Sequence, residues 1–160
     1  MGKLNYLVIH CLATPKGREI TKEDIEQWHL EERGWSRVGY SDLVHIDGEL
    51  ENLIEFDQDD TVDSWEISNG AKGYNGIARH IAYVGGASST KQPWMRSYPP
   101  EDTRTKEQNY TLEQYVRFMI LRHPDIKVIG HNEISNKSCP SYNVGKWLRE
   151  IGIKNKNIGL

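Results

Sequence analysis

The sequence predicts a single α/β domain in which a central mixed β-sheet is flanked by α-helices. Two observations predict this fold. Short apolar, β-branched segments alternate with segments of helical periodicity, and an Asp-Gly pair between two apolar runs is typical of an antiparallel hairpin. The chain of 160 residues is long enough to bury roughly 70% of the surface that its unfolded form exposes. No internal repeat or linker divides it, so we assign residues 1–160 to one domain.

The first predicted strand runs from Tyr6 to His10 and is followed by a loop that contains proline and glycine. A helix is expected after Thr21, because Asp24 follows three residues later with the spacing of a capping box. Gly34 stands where a left-handed residue would end that helix. We expect this helix to pack on the sheet.

The next two strands are predicted as a hairpin, with apolar residues from Tyr40 to Ile46, a turn at Asp47-Gly48 and apolar residues again from Leu50 to Ile54. Every charged residue from Asp47 to Glu66 is acidic. We interpret this run as a solvated face, since it lacks the glycine and carboxylate spacing of a calcium-binding loop. His80 to Val84 is predicted as a further strand, followed by a glycine turn.

Residues 87–109 are rich in serine, proline and charge, and are predicted to form one long loop that walls a cleft. The second helix is predicted to start at Thr111, with Gln114 as its capping-box partner. Ile126 to Ile129 is predicted as a buried strand. The last helix is predicted to start at the Pro140-Ser141 pair, because proline is favoured in a first helical turn.

Composition argues against two classes of partner. The formal net charge is −3, so the chain has no overall basic field to attract nucleic acid or an anionic membrane. No apolar stretch approaches the roughly 20 residues that span a bilayer, so we expect no membrane insertion. The opening segment MGKLNYLVIHCLATPKG has no convincing cleavage site for a secretion signal. We therefore expect synthesis in the cytoplasm without a signal peptide.

Three side chains of the types that bind zinc lie far apart in the sequence: His10 ends the first strand, and His131 and Cys139 follow the last one. A structural zinc site normally has four protein ligands, whereas a catalytic site has three and keeps one position for water. Only three are evident, and their wide separation differs from the paired ligands of a zinc finger. The trio therefore predicts an open zinc site that the whole fold assembles.

The cysteines and the other histidines have further interpretations. Cys11 is expected to face away from His10 as a small buried residue, since a lone Cys11–Cys139 disulfide has no compositional support. Cys139 as a nucleophile, with His131 as its base, would instead make a cysteine peptidase. His29 is expected to be a helix residue that supports the core. His45, His80 and His123 show no ligand spacing and are expected to be structural or at the surface.

Short motifs follow one another along most of the chain, and the last of them is the most specific. They are VIHCLAT, QWH, GW, VGY, AKGYN, VGG and GHNEISNKSCP. In order and spacing, over about residues 6–148, the chain resembles the zinc-dependent N-acetylmuramoyl-L-alanine amidases of the phage-lysozyme and peptidoglycan-recognition type. The resemblance implies the fold of that family, an α/β domain with a central mixed sheet.

The resemblance also implies a site and a reaction. It places one zinc ion on His10, His131 and Cys139, and catalytic roles on Tyr40 and Lys137. The implied reaction is hydrolysis of the amide bond between N-acetylmuramic acid and L-alanine in bacterial peptidoglycan, so peptidoglycan or a muropeptide is the expected partner. Amide hydrolysis needs an activated water and a stabilised oxyanion, which zinc, a second cation and a proton-transfer group supply.

Family members that lack the cysteine ligand bind peptidoglycan without cleaving it, so a non-catalytic recognition module is the alternative function. Cys139 counts against it. The favoured context is an endolysin of a phage or prophage that acts on the cell wall after release. A recycling enzyme acting on cytoplasmic muropeptides and an exported effector are the other contexts, and some phage amidases of this type also inhibit a polymerase.

The chain departs from the family pattern at two places. Gly70 stands before AKGYN, where many relatives have a histidine associated with substrate contact. Residues 77–80 are IARH, where relatives usually have a Ser-Ile-Gly pattern. We expect these departures to alter substrate recognition and to leave zinc binding and hydrolysis intact.

Overall fold

A computed structural model describes residues 2–160. The strands are, in chain order, β1 (Gly2–Lys3), β2 (Tyr6–Cys11), β3 (Thr14–Pro15), β4 (Asp42–Val44), β5 (Leu50–Asn52), β6 (Thr61–Val62), β7 (Ala78–Tyr83), β8 (Gly86–Ala87) and β9 (Lys127–Gly130). The helices are α1 (Lys22–Glu26), which continues as a π-helical segment over Gln27–Glu32, α2 (Lys106–Arg122) and α3 (Val144–Glu150). Short 3₁₀ turns lie at Ser64–Glu66, His131–Glu133 and Asn155–Asn157.

The central sheet has the strand order β5-β4-β7-β2-β9. β2 runs parallel to β7 and β9, β4 runs parallel to β7, and β5 is antiparallel to β4. The predicted α/β fold with a mixed sheet is therefore confirmed. The hairpin supplies the antiparallel edge, and the connections through α1 and α2 return the chain in the parallel direction.

Side chains of β2 alternate between the two faces of the sheet, as a strand requires. Leu7, Ile9 and Cys11 belong to the main core, which the sheet forms with α2 and α3. Val8 belongs to a separate cluster on the other face, the face to which alternation assigns His10. The main core thus holds β2 rigidly while its last residues reach the edge where a site can form.

The start of α1 is as predicted. Thr21 Oγ1 accepts the backbone N–H of Asp24 at 3.1 Å, and Asp24 Oδ2 accepts the backbone N–H of Thr21 at 2.9 Å. Ile25, inside the helix, is fully buried and packs against β4 through Leu43. Gly34 has φ +69° after the π-helical segment, the left-handed conformation expected where a helix stops.

The predicted start of the second helix at Thr111 is wrong. α2 begins at Lys106, because Thr105 and Gln108 form a capping box six residues before the predicted one. Thr105 is also tied to the hairpin, since its hydroxyl donates to Ile46 O at 2.7 Å. Thr111 lies inside the helix, where its hydroxyl donates to Gly48 O at 2.6 Å. The Thr105–Gln108 box has the same Thr-x-x-Gln spacing as the predicted one, and both threonines contact the hairpin, so neither feature separates the two in the sequence.

The predicted start of the last helix at Pro140-Ser141 is also wrong. α3 begins at Val144, and Asn143 is its N-cap through a hydrogen bond from the Lys146 backbone N–H to Asn143 Oδ1 at 2.9 Å. Ser141 has φ +72°, which lies outside the helical region. The Pro140-Ser141 pair belongs instead to the loop that carries Cys139.

The acidic segment departs from the predicted solvated face at one residue, Glu66, which is buried. Its carboxylate accepts the backbone N–H groups of Asp57 and Asp63, at 3.1 and 3.0 Å. Carboxylate oxygens of Asp57, Asp59, Asp63 and Glu66 lie within 4.8 Å of one another. Burial raises the pKa of Glu66, and the two backbone hydrogen bonds hold the turn in which it lies. Within residues 2–160, no helix has the length and apolarity to cross a bilayer.

Candidate metal centre and cavity

The fold brings His10, His131 and Cys139 together. β2 and β9 are parallel neighbours with Ile9 opposite Gly130, so the residues that follow these partners, His10 and His131, meet at the carboxyl edge of the sheet. Their rings have centroids 4.6 Å apart. Cys139 reaches the same place from the loop after β9. One ligand atom from each of the three lies within 4.8 Å of the others, so the trio could hold a metal ion.

One distance within the trio, between Cys139 and His10, matches a tetrahedral zinc ion. Zinc bonds of about 2.3 Å to sulfur and 2.0–2.1 Å to nitrogen, at a tetrahedral angle, place the two ligand atoms about 3.6 Å apart. Cys139 Sγ lies 3.6 Å from His10 Nδ1. The His10 ring therefore presents Nδ1 to the sulfur, and its Nε2 points elsewhere.

The protonation of the two histidines also suits metal binding. Burial lowers the pKa of His10 well below its usual value, and the nearby positive charges that His80, His131 and Lys137 can carry lower it further. Burial and the charge of Lys137 lower the pKa of His131. Both rings are therefore neutral near pH 7 and have a lone pair for a metal.

Cys139 is held by the backbone of β2. The backbone N–H of Cys11 donates to Cys139 Sγ at 3.2 Å, a contact that favours sulfur as a thiolate. Without a metal, a hydrogen bond with Cys11 and burial raise the pKa of the Cys139 thiol well above its usual value, whereas coordination deprotonates a thiol. Both cysteines are free, and the side chain of Cys11 is buried as predicted.

His80 lies next to the trio, which the sequence analysis did not expect. It is fully buried, and its Nδ1 lies 2.9 Å from His10 Nε2. The only sequence signal was the departure IARH, because a histidine on a strand without a spaced partner has no recognisable ligand pattern. The other three histidines have structural contacts. His29 Nδ1 accepts the backbone N–H of Gly39 at 2.9 Å, while His45 pairs with Glu51 and His123 with Asp60.

Tyr40 and Lys137 line the same cavity as the trio. The Tyr40 ring meets the His10 ring edge-on, with centroids 5.3 Å apart. Burial is the main cause that raises the pKa of the Tyr40 hydroxyl, so the phenol is neutral and can donate a hydrogen bond. Lys137 is exposed at the rim. The structure therefore brings all five predicted residues to one place.

The cavity has a volume of about 210 Å³. The predicted wall, the long loop of residues 87–109, contributes no residue to it, so that prediction is wrong. The π-helical segment after α1, the residues that follow it and the loop before β7 form the wall instead. The residues of this wall are Trp28, His29, Arg33, Trp35, Gly39, Asn69 and Gly70.

Comparison with known proteins now decides the family. The sequence pattern of a family described as N-acetylmuramoyl-L-alanine amidase matches residues 1–142. The chain belongs to this amidase family. The resemblance drawn from the motifs is thereby confirmed.

The curated relatives of this amidase-family chain include phage endolysins. It is 28% identical over 141 residues to the endolysin of Enterobacteria phage K11, covering 88% of this chain and 83% of that protein. It is 26% identical over 141 residues to the endolysin of Escherichia phage T7, with the same coverage. Peptidoglycan-recognition protein LB of Drosophila melanogaster is 26% identical over 157 residues, covering 94% of this chain and 59% of that protein.

Solved structures of amidases and recognition proteins share the fold. N-acetylmuramoyl-L-alanine amidase LysC from Clostridium intestinale superposes with TM-score 0.70 at 19% identity, covering 96% of this chain and 88% of that one. The Ph2119 endolysin from a Thermus scotoductus bacteriophage gives TM-score 0.68 at 22% identity, covering 96% and 87%. A variant of Drosophila PGRP-LB in complex with tracheal cytotoxin gives TM-score 0.68 at 18% identity, covering 97% and 86%. The predicted recognition-protein and amidase fold is confirmed.

Proposed function

We propose that this chain is a zinc amidase that hydrolyses the bond between N-acetylmuramic acid and L-alanine in bacterial peptidoglycan. The observation that carries the proposal is the trio His10, His131 and Cys139, which opens on a cavity that Tyr40 and Lys137 also line. Three ligands leave a fourth position for water, as in catalytic zinc sites. Membership of the amidase family supports the same reaction.

A zinc ion on the trio would lower the pKa of its water from 15.7 to about 7 and would polarise the scissile carbonyl. Cys139 contributes one negative charge as a thiolate, so the site keeps only one net positive charge. The developing oxyanion therefore needs a second positive group. Lys137 is that group, because it is an exposed residue that lines the cavity two positions before Cys139. Within residues 2–160 it makes no salt bridge that would neutralise its charge.

Tyr40 orients the reacting groups by hydrogen bonding and takes part in proton transfer. Its hydroxyl makes no hydrogen bond with any other group in residues 2–160, although the side chain is partly buried. The hydroxyl is therefore available to the attacking water or to the carbonyl of the substrate. Because its burial favours the neutral phenol, Tyr40 first acts as a hydrogen-bond donor, and it accepts a proton only if a bound cation lowers its pKa.

The cavity wall suits a polar peptide attached to a sugar. Arg33 provides a cation for a carboxylate of the stem peptide, and its guanidinium lies 5.1 Å from the Trp35 ring centroid. Trp28 and Trp35 offer apolar faces, and Asn69 offers an amide. This mixture of one cation, aromatic faces and an amide matches the carboxylates, sugar rings and peptide groups of a muropeptide.

We further propose an endolysin-like role, in which the protein is made in the cytoplasm and acts on the cell wall after release. The support is that curated relatives include phage endolysins that align with 88% of this chain. Peptidoglycan or its fragments are then the partner. The tracheal cytotoxin complex of a Drosophila recognition protein with the same fold is consistent with that ligand class.

Mass spectrometry of purified peptidoglycan, digested with and without a chelator, tests the proposed reaction. We expect new L-alanine amino ends without new reducing sugar ends, loss of the reaction with chelator and recovery with zinc. New reducing ends would contradict an amidase and indicate a glycosidase. Intact muropeptides together with metal-free protein would indicate a binding module, and activity that survives the chelator would indicate a cysteine peptidase.

Variants separate the metal from the thiol. His131→Ala should abolish activity and zinc binding, while His45→Ala, a matched control whose ring pairs with Glu51 away from the cavity, should retain both. Cys139→Asp keeps a zinc ligand but has no thiol. Activity in that variant would exclude Cys139 as a nucleophile.

A further inference from the structure

His80 is a buried histidine that the proposed reaction does not use, and it touches a proposed metal ligand. It lies on β7, next to β2 in the sheet, where His10 pairs with Ala82. His80 is two residues before Ala82 and therefore faces the same side of the sheet as His10. Its Nδ1 lies 2.9 Å from His10 Nε2.

The positions of the hydrogens follow from the roles of the atoms. His10 Nδ1 faces Cys139 Sγ at 3.6 Å and must keep a lone pair if it binds the metal. The ring hydrogen of neutral His10 is then on Nε2, and it points at His80 Nδ1, which must accept it. His80 consequently carries its own hydrogen on Nε2, and that atom is buried without a hydrogen-bond partner in residues 2–160.

We propose that His80 is a positioning residue for zinc binding: by accepting the Nε2–H of His10, it fixes the tautomer and the ring orientation in which His10 Nδ1 binds the metal. Ligand histidines generally donate their second N–H to a carboxylate, a carbonyl or water, and such partners raise metal affinity. Here a neutral imidazole is the acceptor. It orients the ring without adding a negative charge, so the net charge of the zinc site stays at one positive unit. The inference rests on the proposed zinc site.

Gly70 makes room for this contact. A β-carbon at position 70 would lie 2.4 Å from His80 Nδ1 and 2.7 Å from Gly39 O, so any other residue would displace the ring. The backbone of His80 is fixed as well, because its N–H donates to Ser41 Oγ at 3.1 Å and its O accepts the N–H of Ser41 at 2.7 Å. The two departures from the family pattern, Gly70 and IARH, are therefore in contact. Together they determine the surroundings of the proposed metal ligand His10.

A role in packing alone would not explain the polar ring. An apolar side chain would fill the same space without leaving His80 Nε2 unpaired in the interior, which costs free energy. The chain nevertheless has a histidine here, and the ring atom that has a hydrogen-bond partner, Nδ1, faces His10. This distinguishes orientation of His10 from simple filling of the interior.

The test compares His80→Asn with His80→Leu in the full chain. Asparagine carries Oδ1 as many bonds from Cα as histidine carries Nδ1, so it keeps an acceptor, whereas leucine has similar bulk and none. Zinc affinity is measured by competition with a chromogenic chelator. We expect His80→Leu to weaken zinc binding about 10- to 100-fold and His80→Asn to stay within a few fold of wild type. Gly70→Ala should weaken binding like His80→Leu, although it removes no polar group.

A second measurement does not depend on any variant. Two-bond ¹H–¹⁵N spectra of the zinc-loaded wild type report which nitrogen of His10 carries hydrogen. We expect hydrogen on Nε2 and metal on Nδ1, and the reverse would overturn the inference. Wild-type zinc affinity in His80→Leu would overturn it while leaving the proposed amidase intact. A wild type that binds no zinc would refute both proposals.

Discussion

Replacing Lys137 with methionine tests whether its positive charge stabilises the oxyanion independently of zinc binding. The side chain keeps its length and loses its charge. Two unit charges about 4 Å apart interact by about 1 kcal/mol in water and about 4 kcal/mol at the effective dielectric of a protein surface. Lys137 is exposed but borders a partly enclosed cavity, so its contribution to the oxyanion should lie between these limits. A value of about 2.7 kcal/mol corresponds to about 100-fold in rate.

We therefore expect Lys137→Met to lower kcat/KM by about 100-fold on a defined muropeptide. Zinc affinity should stay the same or rise, because a cation near the two ligand histidines is removed. Lys137→Arg should recover part of the rate, since it restores the charge with a different shape. Lys146→Met is the matched control, because Lys146 is an exposed lysine on α3 that does not line the cavity.

The assay is release of L-alanine amino ends, measured with zinc content on the same samples. A loss of less than about threefold in Lys137→Met would refute the role of this charge in the reaction, since it is below the lower electrostatic limit. If the rate and the zinc content fell by the same factor, Lys137 would be needed for metal binding, and its proposed role at the oxyanion would also be refuted.

Three further predictions concern one side chain each. Tyr40→Phe should lower kcat by about 100-fold with unchanged zinc content, and activity near wild type would exclude its hydroxyl from the reaction. Burial, followed by the charge of Arg33, lowers the pKa of His29 to about 4, below the unfolded value of about 6.5. The neutral His29 ring should therefore stabilise the fold at neutral pH, and the free energy of unfolding in urea should decrease as pH falls from about 6.5 to about 4. In His29→Asn, which can still accept the Gly39 N–H, the free energy of unfolding should decrease less over this pH range. Tyr115→Phe should cost about 1–3 kcal/mol of unfolding free energy, because the Tyr115 hydroxyl bonds both Asp42 and Arg79 in the interior; a wild-type midpoint would contradict this.

The sequence predicts the parts of the fold whose signals are local. The capping box at Thr21, the Asp47-Gly48 hairpin and the apolar strands are each fixed by neighbouring residues, and the structure has all of them. The start of α2 was missed because Thr105 and Thr111 are each followed three residues later by glutamine, and both threonines contact the hairpin in the structure. The local pattern alone does not indicate which of two such boxes begins the helix.

The candidate site also contains residues that the sequence predicts and one residue that it does not. His10, His131 and Cys139 are predictable because their residue types are rare and suited to zinc, and the resemblance adds Tyr40 and Lys137. His80 has no such signal. Its role depends on register, which sets it beside His10 on the same face of the sheet, and on the missing β-carbon of Gly70. A departure from a family pattern became interpretable only once the atoms it contacts were known.

The three proposed ligands differ in how firmly the fold holds them, and this has a consequence for the site. His10 belongs to a strand that is paired on both sides, whereas Cys139 lies in a loop. That loop is fastened at its next two residues: Tyr83 donates to Pro140 O at 2.7 Å, and Ser141 donates to Gly86 O at 2.8 Å. Tyr83 lies on β7, the strand that carries His80, and Gly86 lies on β8, which follows β7 in the chain. The same segment therefore orients the first ligand through its imidazole and fixes the third through its hydrogen bonds to the loop. The arrangement of the proposed ligands therefore depends on β7 and β8, although neither strand supplies a ligand.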